Sequence, residues 1–254
     1  YAQLQGIKTF IHEANSFAGK SNMLLGKKAT KVFVATDGME KFFPADKIII
    51  TGNPVRPSIA DVATIDKATA LQAFGLKMEK PTVLVVGGSL GARSINEAID
   101  KHLDDLLNAD VQVIWQTGKL YTEKAAERTK GKSDVWASDF ITEMDKAYAA
   151  ADVVVSRAGA MSVAELCVAG KPTVFVPYPF AAEDHQTVNA QHLVEKGAAL
   201  IVKDSEAMDK VVPMVLELVK NEAKRNSLKI AIAQQAVLNA DAHVATEVLK
   251  SIKE

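Results

Sequence analysis

The chain has 254 residues, 48% of them hydrophobic, and a formal net charge of −1, which allows one large domain or two smaller ones around a sizeable core. The near-neutral charge gives no electrostatic case for nucleic-acid binding, and the single cysteine, Cys167, excludes a disulfide within the chain. The apolar runs are far shorter than the roughly 20 residues of a membrane-spanning helix.

Nine short runs rich in β-branched residues predict strands, and helical patterns lie between most of them. This alternation is typical of an α/β fold in which helices cover both faces of parallel sheets. Near-continuous apolar runs such as 83–86 and 153–156 fit strands that are buried on both faces. The predicted strands lie at 8–12, 31–36, 47–51, 82–87, 111–117, 134–138, 152–156, 172–177 and 199–202.

Polar side chains follow the first predicted strand. His12, Glu13 and Asn15 stand at its carboxyl end, where a histidine or a glutamate is able to act as a general base. The alternative interpretation is a polar loop that leads into a helix.

A connector rich in proline and glycine, 52–57, separates the first three predicted strands from the others. We therefore expect a domain boundary near residue 57. A complete α/β series follows from 82 to 202, and a helical tail runs from 206 to 254. Arg56, within the connector, is a candidate partner for a diphosphate; the alternative is a linker arginine.

A glycine-rich turn, 87–91, follows the fourth predicted strand and leads into a helix. Glycine lets a backbone approach a ligand closely, the helix start offers free N–H groups to an anion, and Ser89 adds a hydroxyl. The turn is similar to a phosphate-binding loop, although it lacks the G-x-G-x-x-G spacing of dinucleotide-binding proteins. The alternatives are a plain strand–helix turn and, for Arg93, a surface residue instead of an anion partner.

The stretch 153–177 has the pattern of strand, glycine turn, helix, glycine turn and strand. Ala160 and Ser162 lie at the helix start, where an anion is favoured. Glu165 is one turn further along nearly the same face, and a carboxylate there can accept hydrogen bonds from the ribose of a nucleotide. The alternative is a capping box made by Ser162 and Glu165.

A polar cluster follows the strand that ends at Pro177. Dense donors and acceptors at the carboxyl end of a parallel strand suit a hydroxyl-rich ligand such as a sugar. The alternative is a capped surface helix whose acidic residues favour the helix dipole. The cluster consists of Glu183, Asp184, His185, Gln186 and Asn189.

Seven segments, taken in order, resemble the MurG family of bacterial UDP-N-acetylglucosamine (UDP-GlcNAc) transferases over essentially the whole chain. The resemblance implies the GT-B glycosyltransferase fold, with two Rossmann-like domains that face each other across a cleft. It implies that 1–57 is the C-terminal part of an N-terminal acceptor domain, 58–240 a UDP-GlcNAc-binding domain, and 241–254 a helix that packs back on the first domain. The segments are HEANSFAGKSN (12–22), GNPVR (52–56), GGSLGARSINEAI (87–99), FITEM (140–144), RAGAMSVAEL (157–166), GKPTVFVPYPF (170–180) and EDHQTVNA (183–190).

The resemblance also assigns donor contacts residue by residue. It implies that Phe140 and Ile141 cap and pair with uracil, Ile141 through its backbone, and that Glu165 binds ribose. Contacts to the diphosphate or the donor sugar are implied for Arg56, Ser89, Ala160, Ser162, His185 and Gln186.

On the acceptor side, the resemblance implies that His12, Glu13 and Asn15 face the acceptor, with Glu13 and His12 as candidate catalytic bases. The family's first glycine-rich loop, with its histidine, would precede Tyr1. We therefore expect an N-terminally truncated chain that binds the donor and transfers little. The membrane contact of the family is expected in the same preceding portion.

The implied function is inverting transfer of GlcNAc from UDP-GlcNAc to the C4 hydroxyl of MurNAc in lipid I, which gives lipid II for peptidoglycan. The implied location is the cytoplasmic face of the bacterial inner membrane, with peripheral attachment. The histidines are scattered, so we predict neither a metal nor a cofactor. The alternatives are another GT-B glycosyltransferase with a lipid acceptor, and a non-catalytic sugar-nucleotide-binding half of a split enzyme.

Overall fold

A computed structural model describes residues 1–253, which form two parallel β-sheets. All nine predicted strands are present, some with shorter ends, so the prediction of a parallel α/β fold is confirmed. The strands are β1 (Phe10–Glu13), β2 (Lys31–Val34), β3 (Ile48–Ile50), β4 (Thr82–Val86), β5 (Gln112–Gln116), β6 (Val135–Ser138), β7 (Val153–Ser156), β8 (Thr173–Phe175) and β9 (Leu200–Ile201).

The α-helices lie between and after these strands, as the alternation in the sequence predicts. Among the described residues, no helix combines the length and apolar composition needed to cross a membrane. The helices are α1 (Lys20–Gly26), α2 (Pro57–Ala60), α3 (Lys67–Gln72), α4 (Arg93–Lys101), α5 (Leu103–Asn108), α6 (Thr122–Thr129), α7 (Met144–Ala150), α8 (Ala160–Ala169), α9 (His185–Glu195), α10 (Ala207–Lys220), α11 (Glu222–Ala233) and α12 (Ala240–Lys253).

The second sheet has the strand order β6-β5-β4-β7-β8-β9, and its core is split into two layers by the alternation of side chains along each strand. In β4, Val83 and Val85 face one layer, which also contains residues of α4 and α10, while Leu84 faces the other. A strand that contributes to both layers must be apolar at every position. This is the physical reason for the continuous apolar runs in the sequence.

The strand order reverses at β4, because β5 and β7, which follow it in the chain, lie on opposite sides of it. Loops that leave two such strands diverge and open a crevice at the carboxyl edge of the sheet. The loops after β4 and β7 are the glycine-rich turn 87–91 and the turn before α8. The topology therefore brings two of the predicted anion-binding segments to one crevice.

The first sheet has the order β1-β2-β3 and packs around a smaller apolar cluster that includes Val32, Val34 and Phe43. The end of α12 lies beside the segment that enters this sheet, since Lys8 Nζ donates a hydrogen bond to the carbonyl of Ser251 at 2.5 Å. The final residue of the predicted tail helix, Glu254, lies outside the described residues.

Candidate functional site

The carboxyl edges of the two sheets face each other, and polar side chains link them. Asn189 of α9 donates through Nδ2 to Asn15 Oδ1 at 3.1 Å and accepts at Oδ1 from the backbone N–H of Ser16 at 2.8 Å. From the other edge, the buried Asn53 donates to the carbonyls of Ala14 at 2.9 Å and Ala160 at 3.4 Å. The predicted acceptor-side residue Asn15 therefore lies at the contact between the two halves of the cleft.

The turn 87–91 is held by a neighbouring loop. Gly91 has a φ of 80°, and a Cβ atom there would collide with the carbonyl oxygen of Thr117. Gly118, with a φ of 71°, is pressed against the backbone of Gly91 in the same way. Only glycine fits both requirements. Ser89 lies exposed at the tip of this turn, while Arg93 pairs with Glu97 along α4 at 2.8 Å.

Helix α8 begins at Ala160 and its N-cap residue is Gly159, which corrects one sequence-based alternative. A capping box needs a hydroxyl side chain at the N-cap and a glutamate three residues later. Ser162 is instead the third residue of the helix and Glu165 the sixth, so the capping-box interpretation is wrong. The N–H groups of the first turn have no acceptor within the helix, and among the described residues no side chain caps them.

Glu165 is where distant segments meet. Its Oε1 accepts from Arg56 Nη2 at 3.2 Å, and its Oε2 accepts from the Tyr148 hydroxyl at 3.1 Å. The Arg56 side chain is 54% exposed, whereas that of Glu165 is 14% exposed. The structure thus brings together two of the predicted residues, Arg56 and Glu165, and adds Tyr148.

The segment predicted to bind a base is anchored to the glycine-rich turn. Phe140 is half exposed, Ile141 is buried, and the backbone N–H of Ile141 donates to Gln116 Oε1 at 3.1 Å. The Gln116 side chain also donates through Nε2 to the carbonyl of Gly88 at 3.0 Å. Gln116, at the end of β5, therefore fixes the distance between the predicted base site and the predicted phosphate site.

The predicted sugar-side residues lie at the start of α9. Gln186 Oε1 accepts from the backbone N–H groups of Ala158 at 3.2 Å and Tyr178 at 3.0 Å, which ties together the loops after β7 and β8. His185 Nδ1 lies 2.6 Å from the carbonyl of Ala182. The N-cap of α9 is Asp184, whose carboxylate accepts from the Thr187 hydroxyl at 2.6 Å.

The two candidate bases stand at the end of β1 in different settings. Glu13 is 3% exposed, and its carboxylate accepts from the N–H groups of Asn15 at 3.1 Å and Gly19 at 3.0 Å and from Asn22 Nδ2 at 2.8 Å. These contacts shape the loop before α1. His12 Nε2 lies 2.9 Å from the carbonyl of Gly52, so Nε2 carries the proton in the neutral ring and Nδ1 is the acceptor.

A cleft of about 450 Å³ opens beside Glu13, between the two sheet edges. Polar groups from both edges line it, including Asn15 and Asn22 on one side and Glu183 and His185 on the other. The cleft has room for a sugar-sized group and presents donors and acceptors from two directions.

Sequence reasoning missed several residues that hold this site. Tyr148, Gln116 and Asn53 each make a side-chain hydrogen bond to a segment more than ten residues away. Tyr148 has the sequence signature of a core position, and the amide side chains give no periodic signal. Of these three residues, only Gln116 has a sequence signal for the site, because it stands at the carboxyl end of a predicted buried strand.

Residues 82–244 match the family model of the glycosyltransferase family 28 C-terminal domain. The chain is 51% identical over 253 residues to a protein of Parabacteroides distasonis, covering 99% of the chain and 68% of that protein. It is 47% identical to one of Bacteroides fragilis, covering 98% of the chain and 66% of that protein. Both relatives are named UDP-N-acetylglucosamine–N-acetylmuramyl-(pentapeptide) pyrophosphoryl-undecaprenol N-acetylglucosamine transferase.

Solved structures also resemble the chain. The crystal structure of Acinetobacter baumannii MurG matches with a TM-score of 0.80 and 31% identity over 98% of this chain and 68% of that chain. The complex of Staphylococcus aureus MnaA with UDP matches with a TM-score of 0.69, but its 14% identity makes this a likeness of fold alone. The chain spans about two thirds of the length of the relatives it matches.

Proposed function

The chain belongs to the MurG family of glycosyltransferase family 28, and from this premise we propose that it binds UDP-GlcNAc and serves the transfer of GlcNAc to lipid I. The acceptor atom is the C4 hydroxyl of MurNAc, the anomeric carbon inverts, and the product is lipid II for peptidoglycan. The observation that carries this proposal is the meeting of Arg56 and Glu165 beside the start of α8.

The proposed donor site uses the crevice of the second sheet. Glu165 accepts hydrogen bonds from the ribose, and the diphosphate lies at the start of α8 with Ser162 and Ala160, opposite Ser89 on the glycine-rich turn. Uracil lies against Phe140 and pairs with the backbone carbonyl of Ile141, because the N–H of Ile141 already donates to Gln116. This arrangement is supported by the Gln116 side chain, which holds the base segment and the turn together. Its Oε1 accepts from the Ile141 N–H at 3.1 Å, and its Nε2 donates to the Gly88 carbonyl at 3.0 Å.

Transfer requires that charge on the leaving UDP be stabilised. We assign this to the N–H groups at the start of α8 and to the guanidinium of Arg56, which moves from Glu165 to the diphosphate. The half-exposed Arg56 is free to exchange its partner, and in this proposal the ribose hydroxyls replace it as donors to the largely buried Glu165 carboxylate. These groups supply the positive charge from the chain itself, and the proposal includes no resident metal or cofactor.

Transfer also requires a base that takes the proton from the acceptor hydroxyl. Glu13 and His12 are the proposed candidates, at the edge that faces the donor site. Among the described residues, His12 Nδ1 has no hydrogen-bond partner, whereas Glu13 holds the loop before α1 and lines the cleft. Asn15 and His185 line this cleft. Asn15 is the proposed contact to the acceptor, and His185 and the adjacent Gln186 are the proposed contacts to the donor sugar.

The acceptor carries an undecaprenyl chain, which resides in a lipid bilayer. We therefore propose that the chain works at the cytoplasmic face of the bacterial inner membrane as a peripheral protein. The donor is a water-soluble nucleotide sugar, so the cleft has to meet both a soluble and a membrane-bound substrate.

An assay of UDP release tests the function. The chain is mixed with UDP-GlcNAc and a soluble lipid I analogue. Because we expect the chain to bind the donor but to transfer little, the predicted result is a low rate of UDP release that depends on the analogue. Diacylglycerol in place of the analogue is the matched control and should give none. Release with diacylglycerol would assign another acceptor class, and donor binding without release would leave the chain a sugar-nucleotide-binding unit.

A further inference from the structure

Tyr148, on α7, is a buried tyrosine whose hydroxyl faces the proposed donor site. The residue is 3% exposed and packs in the apolar layer that includes Ile59, Val62 and Ala158. Its hydroxyl donates to Glu165 Oε2 at 3.1 Å. The ring is thus fixed by the core, and the hydroxyl is directed at one carboxylate oxygen.

In this hydrogen bond the tyrosine is the donor and the carboxylate is the acceptor. Burial, followed by the nearby Glu165 charge, raises the pKa of Tyr148 well above its usual value, so the phenol keeps its proton. A buried hydroxyl that loses its acceptor loses the compensation for its removal from water. The Tyr148 hydroxyl therefore favours the orientation of the Glu165 carboxylate in which Oε2 accepts this hydrogen bond.

The two oxygens of Glu165 are held unequally. Oε1 is bound by Arg56, whose side chain is 54% exposed and free to exchange its partner for another anion. Oε2 is bound by a residue that the core fixes in place. An ionised carboxylate has about four lone-pair sites, so Oε2 can accept from Tyr148 and from a ligand hydroxyl together.

We propose that Tyr148 is a positioning residue, which orients the Glu165 carboxylate for simultaneous contact with the 2′- and 3′-hydroxyls of the donor ribose. It thereby contributes to the preference for ribonucleotides over their deoxy analogues. This inference rests on the proposed function, in which Glu165 is the ribose contact. Tyr148 itself touches no part of the donor in this arrangement.

Isothermal titration with UDP and with 2′,3′-dideoxy-UDP tests this role in the Tyr148→Phe variant of the chain. Loss of the hydrogen bond that orients Glu165, taken at the typical net strength of one hydrogen bond, predicts about five-fold weaker UDP binding. Affinity for the dideoxy analogue, which lacks both hydroxyls, should not change. The matched control is Tyr121→Phe, because the Tyr121 hydroxyl also donates to a carboxylate, that of Asp100 at 2.7 Å, elsewhere in the same half of the chain. It should leave both affinities unchanged.

The possible outcomes separate this inference from the proposed function. Equal weakening of both ligands by Tyr148→Phe would show a general structural role and overturn the inference, as would no weakening of either. If the unsubstituted chain binds neither ligand, the proposed function fails as well. If it binds both ligands equally tightly, the ribose contact fails while nucleotide binding stands.

Discussion

Glu13 and Glu165 differ in which parts of the chain donate hydrogen bonds to their carboxylates. Glu13 is buried and receives its hydrogen bonds from its own loop and helix, so its charge is used to shape that segment. Glu165 receives its hydrogen bonds from Arg56 and Tyr148, which come from two other parts of the chain. The exposed position of Arg56 leaves one oxygen of Glu165 open to exchange, as a ligand contact requires.

His192 of α9 is a second residue whose setting predicts a measurable property. Its Nε2 lies 2.6 Å from Thr36 Oγ1 and 3.1 Å from Asp37 Oδ1, across the contact between the two sheets. Burial, and then the charge of Lys196, lowers the pKa of His192 from 6.5. Asp37 opposes this shift without reversing it.

We predict that stability falls as the pH drops below about 6.5. The unfolded chain takes up a proton on His192 there while the folded chain resists it, so acid favours unfolding. Melting temperatures between pH 7.5 and 5.5 should fall less for His192→Gln than for the unsubstituted chain. His243→Gln, at an exposed histidine, is the control and should follow the unsubstituted chain. Identical slopes for all three would contradict the prediction.

At the scale of elements, the interlocked turns 87–91 and 117–118 fix the glycine-rich loop to the end of β5. Gly91 combines a left-handed backbone with contact to Thr117. The loop is therefore a rigid part of the sheet edge, and its shape exists before any ligand binds.

Gly91→Ala should destabilise the chain by about 1–3 kcal/mol from backbone strain alone, and by more because of the collision with Thr117. Gly131→Ala is the matched control, since Gly131 has a φ of 75° but no atom within 4 Å of an added Cβ among the described residues. Urea unfolding should show the larger loss for Gly91→Ala. Equal losses would mean that the contact with Thr117 is irrelevant to stability.

The strands and their parallel pairing could be predicted because burial on both faces forces continuous apolar runs such as that of β4. The start of α8 could not be placed to the residue: Gly159, and not a hydroxyl residue, is the N-cap. The Arg56–Glu165 contact joins residues 109 positions apart, and local spacing carries no such information. Tyr148 was missed because helix periodicity indicates only that a residue is buried.

At the scale of the whole molecule, two parallel sheets present their carboxyl edges to one cleft, joined by the side chains of Asn53 and Asn189. The predicted GT-B fold is confirmed by the likeness to the MurG crystal structure. The division of the chain at residue 57 stays a prediction. The proposed donor contacts on one edge and the candidate bases on the other give the arrangement that transfer between two substrates needs.

Calorimetric titration of UDP-GlcNAc into the unsubstituted chain and its Glu165→Gln variant tests the central claim most directly. Glutamine preserves an acceptor for Tyr148, so the fold is kept while the charge that is proposed to face the ribose is lost. We predict binding to the unsubstituted chain and roughly ten-fold weaker binding to the variant, as expected for hydrogen bonds to a charged group. Glu247→Gln, at a glutamate paired with Lys250 on α12, is the control and should bind normally. Unchanged affinity in Glu165→Gln, or no binding by the unsubstituted chain, would contradict the account.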